Sequence, residues 1–343
     1  MPIDGPLRRT YSGPILRFEP FYPINALIHI RPYENCDPPA ITEIWRTHPP
    51  LRGLVQAMST AMLEQSILSK QYFDRDGLLL AFDGDEPVGF VHAGFGANDA
   101  FTSLATDRGV ICMLMVVPRP DRAVIAQELI ARAETFLGDR GATDVYAGEI
   151  DRLNPFYLGV YGGSAPTGIL VRDHFQFESF QSAGFVEQRR FQLLHRSLVG
   201  FRPLVDRKQM QLRRAYHIES KLDPPTDNWW QACTIGHALR VRFELRHRAS
   251  DETVGQATFW DMEPLAHNWG VHAMGLTELQ IQETSRRQGL ATFLLGEALR
   301  QLQSNGITMM EIQVDTSDDV AVGLSRKLDF EMVDEGVSFR KPV

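Results

Sequence analysis

Ile281-Gln282-Glu283-Thr284-Ser285-Arg286-Arg287-Gln288-Gly289-Leu290-Ala291 is the stretch of this 343-residue chain best suited to chemistry. Two arginines and a glycine stand between a run that ends like a strand and a run that begins like a helix. A helix start leaves backbone N–H groups unpaired and carries partial positive charge, so it favours an anion, and a glycine lets the main chain approach one closely. The stretch reads as a phosphate-binding turn. Arg286 and Arg287 can add charge-assisted bonds there or point to water.

Such a turn is an ordinary solvated loop unless the elements around it hold it in place. Residues 276–281 alternate apolar and polar as a strand does. Leu290, Leu294, Ala298 and Leu302 then fall at helical spacing, and Asn305-Gly306 supplies a stop. Residues 307–314 alternate as a second strand, 318–327 predict a short helix leading into Phe330, and 338–343 predict a last extended segment. Together with Arg286-x-x-Gly289-x-Ala291, this order resembles the C-terminal half of a domain of the GNAT superfamily of acyl-CoA N-acyltransferases. The resemblance implies an acetyl-CoA donor. It also implies that the strand end at Leu279 and Ile281 holds the pantetheine and polarises the acetyl carbonyl through backbone groups. The pyrophosphate would lie on the loop and helix start, with Arg286, Arg287, Gln288, Gly289, Leu290, Ala291 and Thr292 as cofactor-binding residues.

An N-acyltransferase needs a thioester beside a neutral amine, a route for the proton and help for the leaving thiolate. Glu278, a carboxylate on the strand that would approach the acyl group, is the candidate general base; Asp261, Glu263 and Asp315 are alternatives. Each also suits a plain solvent-facing position. Many members of the family place a tyrosine in the short helix after the last long strand, where it protonates the thiolate. Alignment puts Ser325 at that position, a shorter side chain and a poorer acid. Ser325, water or another residue must then serve, or the reaction has been lost. The last case would leave a non-catalytic acyl-CoA-binding or scaffold protein.

Residues from about Ile28 to Arg196 follow the same order of elements. They include extended runs at 27–32, 78–82, 88–95, 110–117 and 144–150, and helix-like runs at 57–71 and 123–137. The expected fold is therefore α/β (α+β): two tandem GNAT-like domains, 1–200 and 201–343, each a mixed, mostly antiparallel central sheet flanked by helices. The layout resembles the mycothiol synthase-like members of the family. In the first copy Arg122 and Val124 stand where a glycine and a small residue belong, and a side chain there obstructs a pyrophosphate.

That copy also carries an insert in which aromatics and glycines alternate, from Asn154 to Ser164. The insert reads as a turn-rich loop covering the sheet edge, or as part of an acceptor pocket or domain interface. The second domain looks short on its N-terminal side, without an obvious pair of helices before residue 240, and residues 209–218 fit either a helix or a strand. Trp229, Trp230, Trp260 and Trp269 fit core or interdomain packing, or the lining of an apolar or cationic pocket.

A formal charge of -8 argues against a nucleic-acid partner. Three scattered cysteines and histidines without ligand spacing give neither a disulfide framework nor a metal site. The longest apolar run, 110–117, is too short to cross a bilayer. The chain is therefore expected to be cytoplasmic, away from membranes, and a monomer or homodimer acting on a small-molecule or peptide amine.

Overall fold

The computed structural model describes residues 28–149, 155–165 and 167–342. Leu27, Ile150, Asn154 and Val343, each part of a segment expected from the sequence, lie outside them. The first half runs β1 (Ile28–Pro32), α1 (Pro38–Thr47), α2 (Thr60–Leu63), β2 (Leu78–Asp83), β3 (Glu86–Ala97), β4 (Leu104–Val116), α3 (Arg122–Asp139), β5 (Asp144–Ala147), β6 (Ile169–Leu170), α4 (His174–Ser182) and β7 (Val186–Ser197). The second runs α5 (Arg207–Ala215), β8 (Tyr216–Leu222), α6 (Trp229–Thr234), β9 (Arg240–His247), β10 (Thr253–Asp261), α7 (Glu263–Trp269), β11 (Ala273–Ile281), α8 (Leu290–Ser304), β12 (Met309–Asp315), α9 (Asp319–Lys327) and β13 (Glu331–Pro342).

Local chemistry explains most boundaries. α1 opens on Pro38 and Pro39, which suit a first turn where no N–H is needed. α9 is capped by the Asp318 carboxylate, which accepts from the N–H groups of Val320 and Ala321. Residues 209–218 are both of the things the pattern allowed, since α5 ends at Ala215 and β8 begins at Tyr216. The second half does have helices ahead of β9, contrary to expectation. α6 spans six residues, too few to show a helical period, and α5 is polar or charged along most of its length, so neither stands out as an amphipathic run.

The described strands form one sheet in the order β1-β2-β3-β4-β5-β13-β7-β12-β11-β10-β9-β8, with β6 pairing β13. Its two parallel pairs are β4 with β5 and β11 with β12. The halves exchange their final strands: β13, from the end of the chain, pairs with β5 of the first half, while β7 pairs with β12 of the second. Packing follows the exchange. Val337 and Phe339 of β13 are buried in the first-half core beneath α3. Leu194 of β7 is buried with Met310 and Ile312 in the core that holds the apolar face of α8. Burying each such side chain contributes about 1.5–3 kcal/mol, so each half is completed by the other's strand.

A third cluster, containing Trp45, Tyr157, Tyr161, Trp230 and Trp260, joins residues of both halves. Among the described residues no helix is long and apolar enough to cross a membrane.

Candidate active site

β11 and β12 pair in parallel from Ala273 with Met309 to Gly275 with Glu311, and then part. β11 continues to Ile281 along β10, so its other backbone edge opens on a groove. Thr277 is an extra residue opposite β10, a bulge that bends the strand, and its Oγ1 donates to the Thr258 carbonyl at 3.1 Å. The groove encloses about 1730 Å³. Its lining includes the loop from Arg286 to Gly289 and also Gln313, Asp315, Arg189, Phe191 and Ala165.

The loop has the backbone geometry that an anion cradle needs. Glu283–Ser285 form a 3-10 turn, and Gly289, at φ 82°, is the N-cap of α8. No side chain caps the helix and no acidic residue sits in its first turn. The N–H groups of Leu290, Ala291 and Thr292 therefore have no intrahelical acceptor. Leu290 and Thr292 bury their side chains, which leaves their backbone for a ligand. Arg286 Nε donates to the Ile281 carbonyl at 3.2 Å and Gln288 Nε2 to the Thr284 carbonyl at 3.4 Å, folding both side chains along the loop. Arg287 adopts φ 61° and lines the groove.

Lys208 adds a cation that nothing in the local sequence ties to the loop. A Cβ placed on Gly289 would lie 3.1 Å from Lys208 Cε and 3.5 Å from its Nζ. The Arg213–Glu297 ion pair joins α5 to α8 and helps fix Lys208 above the helix start.

Glu278 faces the groove from β11. Its Oε1 accepts from Gln256 Nε2 and its Oε2 from Thr258 Oγ1, each at 3.2 Å, with the Arg242 guanidinium 3.8 Å away. Leu279 and Ile281 line the same strand edge. Among the alternatives, burial and neighbouring Glu263 push the Asp261 carboxyl up. Burial also pushes Asp315 up, but hydrogen bonds from Ser317 and the Arg189 guanidinium outweigh it and hold the group below its ordinary value. Ser325 is buried, and its Oγ donates to the Val322 carbonyl at 2.8 Å. On that helix the groove is lined by Asp319, Val320, Ala321, Gly323, Leu324 and Lys327.

The sequence profile of the Acetyltransferase (GNAT) family matches residues 39–161 and again 207–330. The chain belongs to the GNAT family. A tandem GNAT protein from the clavulanic acid biosynthesis pathway superimposes with a TM-score of 0.59 at 12% identity, covering 92% of this chain and 98% of that one. A GCN5-related N-acetyltransferase from Sphaerobacter thermophilus gives 0.59 at 14% identity over 92% and 95%. A putative acetyltransferase from Pyrococcus horikoshii gives 0.51 at 15% over 92% and 89%. These likenesses show the tandem fold. No curated protein matches the sequence.

The two GNAT halves treat the equivalent opening differently. In the first, β4 and β5 pair from Arg108 with Asp144 to Ile111 with Ala147, and the space beyond is filled by side chains. Leu114 N–H donates to Gln176 Oε1 at 3.1 Å, and Gln176 Nε2 donates to Asp173 at 2.7 Å. Asp173 also accepts from Tyr161 OH and lies 3.3 Å from His48. Burial opposes charge on both members of that pair, yet their mutual attraction wins, raising His48 and lowering Asp173. Arg122, at the start of α3, donates Nε to the Val116 carbonyl and lies 3.4 Å over the Phe175 ring.

The aromatic insert of the first GNAT half joins the halves. Phe156, Tyr157 and Tyr161 are buried, and Tyr157 stacks on Trp45. Trp260 Nε1 donates to the Ser164 carbonyl at 2.9 Å, while Trp269 Nε1 donates to the Arg52 carbonyl at 2.8 Å. Trp230 lies 4.8 Å from Tyr72. These tryptophans serve the interface between halves, and the Ser164 end of the insert reaches the groove through Ala165.

Proposed function

We propose that the protein is an acetyl-CoA-dependent N-acetyltransferase whose second half binds the donor and whose acceptor is a primary amine on a small molecule or peptide. The contrast between the halves carries this reading: the β11/β12 opening is a groove that side chains line without filling and that includes an uncapped helix start, while the β4/β5 opening is packed with side chains. A diphosphate fits the loop. Gly289 leaves space that a Cβ would fill, three backbone N–H groups of the first turn have no intrahelical acceptor, and Lys208 supplies positive charge.

In the reaction the amine nitrogen attacks the thioester carbonyl, the C–S bond breaks and the sulfur leaves as thiolate. Glu278 takes the amine proton directly or through water, its carboxylate held by Gln256 and Thr258. Ser325 already spends its hydroxyl on the Val322 carbonyl, so the proton for the thiolate comes from water. The unpaired edge of β11 next to Thr277 offers backbone groups to the acyl carbonyl.

Calorimetric titration of acetyl-CoA into the wild type and Gly289→Glu tests the reading. Micromolar binding by the wild type, lost in the variant, supports it and leads to an amine panel. Absence of wild-type binding refutes it. Binding without transfer to any amine leaves the non-catalytic acyl-CoA binder.

A further inference from the structure

The two halves meet at the vertex where β11 and β12 part, and one buried carboxylate organises that meeting. Glu311 is 1% exposed and is the last β12 residue paired with β11. Its Oε1 accepts from the Ser164 N–H at 2.6 Å and its Oε2 faces His195 Nε2 at 2.8 Å. Arg52 Nη2 lies 2.7 Å from His195 Nδ1. A guanidinium only donates, so Nδ1 accepts and the ring proton sits on Nε2, directed at Glu311. Ser164 and Arg52 are first-half residues, whereas Glu311 comes from the second.

Two glycines permit this approach. A Cβ on Gly163 would lie 2.0 Å from Glu311 Oε1, and one on Gly275 would lie 2.1 Å from Ser164 Cβ. Trp260 holds the Ser164 carbonyl from the opposite side. The next residue, Ala165, lines the donor groove together with Gln313 and Glu278.

We propose that Glu311 is a positioning residue that clamps loop 162–165 across the vertex, so that Ala165 of the first half forms the wall at the acyl end of the second half's groove. The inference rests on the donor-binding reading above. On this arrangement the half with the filled opening still shapes the reaction site, because its loop closes the end where the acyl group meets the amine. Glu311→Gln would break the clamp at a defined point. The new amide nitrogen must face either the Ser164 N–H or the His195 Nε2–H, a donor against a donor. His195 cannot relieve the conflict by moving its proton, because Nδ1 is occupied by Arg52.

The test uses the full-length Ala165→Cys protein and bromoacetyl-CoA. A thiolate within reach of the acyl end displaces bromide and forms a thioether, which peptide mass spectrometry locates. Wild-type protein controls for Cys36, Cys112 and Cys233, and binding is measured separately by calorimetry. The expected result is labelling at position 165 that is lost when Gly289→Glu is added. It also slows tenfold or more when Glu311→Gln is added, with bromoacetyl-CoA affinity unchanged within twofold, a selective effect that general loosening of the fold would not give. Binding of the reagent without labelling at 165 overturns the proposal while leaving the donor reading intact, and undiminished labelling with Glu311→Gln overturns the clamp. If the reagent binds neither protein, the donor reading fails and takes the inference with it.

Discussion

Charge reversal at Lys208 probes the phosphate cradle without touching its backbone. The Lys208 ammonium lies 3.5 Å from the point a Gly289 Cβ would occupy, in the space a diphosphate would enter. Two unit charges about 4 Å apart interact by about 1 kcal/mol in water and about 4 kcal/mol at an effective dielectric of about 20. Lys208 is exposed, so the lower part of that range applies, about 1–2 kcal/mol, or about 5–30-fold in Kd. Lys208→Met should weaken acetyl-CoA binding by that factor, and Lys208→Glu by roughly its square because attraction becomes repulsion. Calorimetry at low and high salt is the assay, with phosphate-free acetyl-pantetheine as control. Its affinity should not change, and the differences with acetyl-CoA should shrink as salt rises. Acetyl-CoA affinity for Lys208→Glu within twofold of wild type would show that the phosphates do not lie on this loop.

Other consequences can be read from stability and rate. Burial pushes the His92 imidazole down to about 3, so the folded state keeps it unprotonated while the unfolded chain takes up a proton below about pH 6.5. Its contribution is complete well above that pH and falls with acidification through the window down to about 3, by about 2.3 kcal/mol between pH 6.5 and 4.5. Denaturant titrations should show a steeper acid slope in the wild type than in His92→Gln, and equal slopes would refute the assignment. Phe339→Ala, a change in the last strand of the chain, should cost about 3–5 kcal/mol. Hydrogen exchange should report the loss in α3 and β5 of the first half, the core that Phe339 enters. Glu278→Gln should lower kcat about 10²–10⁴-fold with acetyl-CoA affinity unchanged, measured on whichever amine the panel yields.

The sequence by itself determined the strand, loop, helix and strand from β11 to β12 and the suitability of that loop for an anion. Alternation placed β11 and β12, helical spacing placed α8, and the pairing of a glycine with a helix start pointed to an anion before any coordinates. All of these are local: period, cap and backbone freedom depend on neighbours within a few residues. Arg122 and Val124 likewise showed that the first copy departs from the motif, though Gln176, Asp173 and His48, which fill its opening, come from separate segments that only the fold brings together.

Tertiary structure decided the rest. The extended segment expected at 338–343 does not reveal which strand lies beside it, so the exchange of β7 and β13 could not be read from the pattern. Lys208 reached Gly289 through the packing of α5 on α8, and Glu311 met Ser164 because the halves share one sheet. A hydrogen bond or an ion pair forms between groups that are near in space, and residues far apart in the chain are brought near only when the cores close. The motif in this sequence therefore announced where a phosphate can sit, whereas the wall opposite it was set by the burial of one half's aromatics and final strand against the other.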